Sequence, residues 1–264
     1  MALSLHMQTD FSQAPWAAQL DRSGPDSLRS GGPILTLCAV LWLWLTSFIW
    51  RFLEADLQPV GFGVSVTLAL WFISQVFLMR RGVVERVTFA FTSILQALTP
   101  TLLIAFWVLG TDTGRILATL IAQQVTVLEL VGLHMLRLAA WGTVKKYRQK
   151  QLPRYFFLFG SIPDFAFAIG AVALTGLIWA GVFNPSATFL IVWCLVGMAA
   201  FLGAATTMYF GAPGTVLSFR WAAVRRGEEP PTLLPFRWPM NLAPAFCAPV
   251  FWLAQLLLIF ELMG

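Results

Sequence analysis

Charge is scarce in this chain. Asp, Glu, Lys and Arg make up 11% of its 264 residues, against about 25% in soluble globular domains, so a water-facing surface of ordinary extent has too few residues to build it. Lysine is scarcest: Lys145, Lys146 and Lys150 are the three, all in one short stretch. A retinal Schiff base needs a lysine inside a helical bundle, which excludes a covalent chromophore. Histidine is limited to His6 and His134, too few for a bis-His haem within the chain. Cysteine is limited to Cys38, Cys194 and Cys247 with no CxxC pair. That supply supports neither a zinc or di-iron centre nor a disulfide framework, and the three cysteines read as small core side chains. No phosphate-cradling loop, dinucleotide fingerprint or nucleophile elbow occurs. The expectation is no cofactor and no metal.

What the chain does have is apolar length. Hydrophobic residues make up 58% of it, with 23 Phe and 12 Trp against 3 Tyr. A helix needs about 20 predominantly apolar residues to cross a bilayer. Such stretches lie at 33–52, 57–79, 87–109, 116–138, 155–179, 188–210 and 243–263. The predicted fold is therefore an all-α integral membrane protein, a seven-transmembrane-helix bundle over 33–263, preceded by a polar tail at 1–32. That tail carries Asp10, Asp21 and Asp26 and no apolar core after a basic start, so it does not read as a cleavable signal.

The 17 basic residues against 12 acidic ones set the sidedness. Most cations fall in three alternate connections: Arg80, Arg81 and Arg86; then Arg137, Lys145, Lys146, Arg148, Lys150 and Arg154; then Arg220, Arg225, Arg226 and Arg237. The positive-inside rule places these connections in the cytoplasm, with the N-terminus cytoplasmic and the C-terminus extracytoplasmic, in a cell membrane of bacterial inner-membrane type. The expected partners follow: the lipid bilayer, anionic lipid headgroups held by Arg220, Arg225, Arg226, Arg237, Lys145 and Lys146, and other membrane subunits. Nucleic acid is excluded, because the cations track topology. The connections on the opposite side are short and rich in Gly, Asn, Asp and Pro, as at 110–114 and 181–185, which marks tight turns. The loop 211–242 repeats the triplet Phe-Arg-Trp at 219–221 and 236–238 and reads as an interfacial segment with both triplets anchoring it in the headgroup layer.

Ionisable groups inside spans are costly and mark function by default. Glu129 lies eight residues before Arg137, and Asp164 lies ten residues after Arg154, roughly 12 and 15 Å inside those cations at 1.5 Å per residue. On an α-helix Gln123, Thr126, Leu130, His134 and Arg137 make one stripe. Pro163 beside Asp164 should bend its helix. The ligand or proton candidates are accordingly Asp164, Glu129, His134, Arg137, Gln123, Thr126 and, from the third span, Gln96. Asp164 can instead serve as packing glue, paired with His134 or Arg137. A weaker set in the last span is Pro244, Pro249 and Gln255. The segments 152–155 and 162–165 look motif-like, and no activity attaches to them.

Three functions fit these residues. The first is transport or binding of a small solute at a mid-membrane polar site near Asp164 and Glu129. The second is a non-catalytic accessory or assembly subunit of a larger membrane complex. The third is a lipid- or isoprenoid-modifying enzyme using His134, Arg137 and Asp164 at the cytoplasmic face. The surroundings of the Asp164 carboxyl discriminate among them.

Overall fold

The computed structural model describes residues 28–52, 58–80, 125–212, 220–232, 234–236 and 242–263, with isolated positions between 99 and 119 and at 240. Two helices, α1 (Leu28–Phe52) and α2 (Gln58–Arg80), pack against each other. Three long helices follow as α3 (Val127–Arg148), α4 (Arg154–Trp179) and α5 (Ala187–Phe210). A short α6 (Ala222–Arg225) and one 3₁₀ turn (Leu234–Phe236) lead to a π turn (Ala243–Cys247) that runs into α7 (Ala248–Met263). Among the described residues there is no strand.

Four of these helices are long and apolar enough to cross a membrane: α2 over Gly61–Leu78, and α3, α4 and α5 over their full lengths. Shorter apolar windows lie in α1 (Gly32–Ser47) and α7 (Ala248–Ile259). The molecule is thus a helical protein with the lengths and composition of a multi-pass membrane protein. Most of the expected third span at 87–109 lies outside the described residues. Large apolar side chains stand open on the outer faces, including Phe62, Leu70 and Ile73 on α2, Ile169 on α4, and Leu195 and Leu202 on α5. In water such surface would be a liability. In lipid it costs nothing.

The fourth span differs from its expected 116–138. Thr126 is extended (φ −70°, ψ 149°), and a new helix starts at Val127. The Thr126 hydroxyl accepts from the Glu129 amide at 3.2 Å, while Glu129 Oε2 accepts the Thr126 amide at 3.0 Å. This reciprocal capping box satisfies two donors that a helix start leaves orphaned. The helix then runs to Arg148, so Lys145, Lys146 and Arg148 belong to its last turns rather than to a loop. It ends in a Schellman motif: the Lys150 amide bonds the Tyr147 carbonyl at 2.8 Å and the Gln151 amide bonds Lys146 at 2.9 Å. The residue at the left-handed position is Lys150, with φ 58°, where glycine is the usual occupant. Lys150→Gly is therefore expected to raise stability by about 0.5–1 kcal/mol, measured as the thermal midpoint in detergent. A lower midpoint would mean that the lysine side chain makes a stabilising contact outweighing its backbone strain.

The turn that joins α4 to α5 repeats the motif with glycine in place. Gly181 has φ 68°; its amide bonds Ile178 at 3.0 Å and the Val182 amide bonds Leu177 at 3.1 Å. Ser186 then caps α5 by accepting from the Phe189 amide at 3.2 Å.

Proline shapes both π turns. Pro163 has no N–H to give the carbonyl four residues earlier, that of Phe159. That carbonyl lies in the π turn Phe157–Ser161, which widens the helix ahead of Asp164. It also faces α5 at Gly203, where a Cβ would collide with it. Pro249 stands in the same relation to Ala245 in the π turn Ala243–Cys247. Single-turn π bulges absorb such a mismatch and recur at functional sites.

The main core joins residues of α1 (Cys38, Leu41), α3 (Leu130, Val131), α5 (Cys194) and α7 (Phe251). A second cluster closes the basic end with Leu152, Tyr155, Phe156, Met208, Val224 and Leu234.

Candidate functional site

Among the described residues the most extensive helix–helix contact lies between α4 and the middle of α3. There α3 tightens into a 3₁₀ stretch, His134–Ala140. In a 3₁₀ helix side chains three apart eclipse, so His134 and Arg137 stand directly in line, both turned inward. Arg137 is 2% exposed and His134 is 1% exposed. Arg137 sits eleven residues before the end of α3, roughly 16 Å inside it. It is not the loop cation that its place among the basic residues suggests. Asp164 lies ten residues into α4, and because the two helices form an antiparallel hairpin the two charges meet.

Arg137 Nε donates to Asp164 Oδ1 at 2.7 Å, and Nη2 closes an ion pair on the same oxygen. Nη2 also donates to the Gly197 carbonyl of α5 at 3.2 Å. The guanidinium lies over the rings of Phe201 at 3.8 Å and Phe167 at 4.4 Å, with Phe251 at 6.0 Å. Aromatic faces favour a cation, most strongly where water is excluded. His134 is walled by Phe167, Trp193 and Phe251, with ring centroids 5.2–5.6 Å away. Removing two charges from water costs several kcal/mol per ion. The pair therefore depends on close geometry and on this ring of π faces.

The enclosure is close-fitting. A Cβ at Gly197 would collide with Gln255 Nε2 of α7 and with the Phe167 ring, so the α5 backbone, the Gln255 amide and the cation-bearing aromatic touch at one point. Yet several polar atoms here have no hydrogen-bond partner among the described residues. They are Arg137 Nη1, His134 Nδ1, Ser161 Oγ and both amide atoms of Gln255, and Gln255 is 0% exposed. Buried polar groups are normally paired, and each exception calls for an explanation. The Asp164 side chain keeps 17% of its surface open, and the bonds to Arg137 use only Oδ1.

The structure brings Asp164, Arg137 and His134 together. Glu129 and Thr126 are not at this centre; they cap one another at the start of α3. Gln96 and Gln123 lie outside the described residues. Sequence reasoning singled out neither the Gly197 carbonyl nor the aromatic walls, and it placed Gln255 only in a secondary set. Their one advance signal was a glycine and an amide inside otherwise apolar spans.

At the basic end, the described part of the loop 211–242 folds inward. There the Trp221 indole donates to Glu229 Oε2 at 3.1 Å, and its half-buried ring meets Tyr155 edge-on at 5.4 Å. The same Glu229 oxygen accepts the Arg154 amide at 3.0 Å, so one carboxylate caps α4 and pins the loop. Below it the Tyr155 hydroxyl donates to the Gly211 carbonyl at 2.8 Å, and the Thr232 hydroxyl donates to Tyr155 at 2.9 Å. A Cβ at Gly211 would strike Tyr155 and Thr232, which restricts that position to glycine. Arg220 and Arg225 are exposed, as is Lys145, while Lys146 is half-buried. Arg226 grips Glu228 at 2.6 and 2.8 Å, and this hydrogen bonding holds the Glu228 carboxyl below its usual range. Arg237 lies outside the described residues.

No protein-family model matches this chain, and no match was found among curated proteins or solved structures. The polar centre itself is therefore what bears on function.

Proposed function

We propose that this chain is a multi-pass protein of a bacterial inner membrane that binds or transports a small solute at the polar centre formed by Asp164, Arg137, His134 and Gln255. The observation that carries this reading is the combination of a membrane-depth ion pair with unpartnered buried polar atoms contributed by α3, α4 and α7. An ion pair kept only for packing is commonly no better than apolar residues of similar volume, and intramembrane charges mark substrate or ion pathways. The full fold in this proposal is the seven-helix bundle. Its basic connections face the cytoplasm, and Lys145, Arg220 and Arg225 meet anionic headgroups.

The test is a thermal-shift panel on the purified chain in detergent, covering protons, alkali cations, small anions, sugars and amino acids. A ligand that binds only the folded state raises the midpoint in proportion to RT ln(1 + [L]/Kd). At least one solute class should stabilise the wild type, and the gain should vanish in Asp164→Asn. A flat response across the panel overturns the reading.

A flat panel would favour the accessory-subunit reading, which one observation supports: Gly170 and Gly176 on α4 face open space, with no atom within 4 Å of an added Cβ. Small residues on an outer helix face suit close approach of another transmembrane helix. The lipid-modifying reading gains nothing from the geometry, because His134 is sealed among rings.

A further inference from the structure

We infer that the ligand of this centre is a small monovalent cation, a proton or an alkali ion, which takes the Asp164 carboxylate in exchange for the Arg137 guanidinium. The inference rests on the reading of the centre as a binding site and names the ligand class.

It starts from charge. Arg137 and Asp164 neutralise one another, so an added anion or cation must displace one of them from its partner. Displacement is feasible only for a group that has somewhere else to go. Arg137 does. Its Nη2 already holds the Gly197 carbonyl, its Nη1 is unpartnered, and the Gln255 amide lies against Gly197. Gln255 Oε1 and His134 Nδ1 are both buried without partners, and each can accept from a guanidinium. Phe251 lies 6.0 Å from the guanidinium, and its ring also stands 5.5 Å from that of His134, so aromatic surface reaches from the cation to the histidine. Among the described residues Asp164 has no cationic partner besides Arg137. It has instead Ser161 one turn back on its own helix, buried at 2% with a free Oγ, and an open share of its own surface. A carboxylate with a hydroxyl one turn away is an oxygen ligand set, suited to a hard cation or a proton and not to an anion.

The structure places Arg137 on the carboxylate; beside Arg137 stand His134 on its own helix, the Gly197 carbonyl of α5 and, against Gly197, Gln255 of α7, with Ser161 one turn from Asp164 on α4. In the resting arrangement Arg137 occupies Asp164. When a cation binds, Asp164 and Ser161 hold it, and Arg137 turns to Gly197, Gln255 and the neutral face of His134. With an alkali ion no covalent bond changes; with a proton, one O–H bond forms on Asp164 and one breaks in the hydronium ion that leaves as water. In both cases the centre gains one positive charge, which Arg137 then carries.

The experiment is infrared difference spectroscopy on the full chain in lipid nanodiscs, with acid steps and with lithium, sodium and potassium chlorides as separate probes. The carboxyl signal is assigned by its loss in Asp164→Asn. One of the probes should perturb Asp164, and the responding arm identifies proton or alkali ion. Gln255→Glu gives Arg137 a charged second partner and should raise the apparent affinity about tenfold, a free-energy change of about 1.4 kcal/mol. Gln255→Leu removes that partner and should lower the affinity by a similar factor. The two variants act in opposite directions, so either one that folds decides. The exchange is overturned if no probe perturbs Asp164, or if the folded variants titrate like the wild type. If the thermal panel instead responds to an anion or a neutral solute and needs Asp164, the binding site stands and the cation exchange falls. If the panel is flat, both fall.

Discussion

Arg137→Met is expected to abolish accumulation of the folded chain. Methionine matches the aliphatic stem of arginine but leaves the Asp164 carboxylate without its counter-charge at membrane depth. Breaking a buried pair from one side costs about 3–5 kcal/mol, a large part of the about 5–15 kcal/mol that holds a typical fold together. The expected result is loss of the monodisperse peak in detergent size-exclusion chromatography. The double variant Arg137→Met/Asp164→Leu removes both charges and should recover that peak, since replacing a whole pair by apolar side chains is often neutral or stabilising. Arg137→Lys should fall between them. A lysine carries the charge but lacks the planar fork that reaches Asp164 and Gly197 together while lying on Phe201. Wild-type stability of the single methionine variant would show that the pair is not sealed from solvent.

Gly197→Ala is expected to be nearly as damaging, for a different reason. Its methyl group would enter space held by the Gln255 amide and the Phe167 ring, and α5 and α7 would have to part. Overpacking a tight contact costs about 1–3 kcal/mol. A shifted carbonyl would also lose the Arg137 bond, and bonds to charged groups contribute about 1.5–3 kcal/mol. The midpoint in detergent should drop accordingly. Adding Gln255→Ala makes room and should return part of the loss, which an effect on helix propensity alone would not. Gly170→Ala, made inside α4 where nothing lies within 4 Å, is the control and should raise stability by about 0.5–1 kcal/mol through helix propensity alone.

Much of this arrangement can be read in the chain before folding, and the limits have physical causes. The α4–α5 hairpin was legible because its signals agree: apolar runs at 155–179 and 188–210, with glycine, asparagine and proline between them. The observed helices run from Arg154 to Trp179 and from Ala187 to Phe210. The start of α3 was legible in principle, since Thr126 followed three residues later by Glu129 is a capping-box pattern. Continuous hydropathy from 116 to 138 outweighed it, because a window average does not register a local hydrogen bond. Arg137 misled for the same reason. A charge at the edge of an apolar window looks like the end of a span, and only Asp164, 27 residues later, tells otherwise. The α stripe already set His134 and Arg137 on one face; their full eclipsing needed the 3₁₀ pitch, which α periodicity does not give. The aromatic walls were visible only as apolar residues, because which face they share depends on the depth register between helices.

The contact between Cys38 and Cys247, with sulfurs 3.5 Å apart, bears on how the protein is made. These residues are separated by 209 positions, and the next residue back, Phe246, packs on Phe72 of α2 at 5.2 Å. At about 5–20 residues per second of synthesis, α1 and α2 wait roughly 10–40 s in the bilayer before the segment that clamps them emerges from the ribosome. During that interval the early hairpin exposes faces that belong to the finished interior. Its survival then depends on lipid and on whatever insertion machinery shelters it, not on its eventual partner.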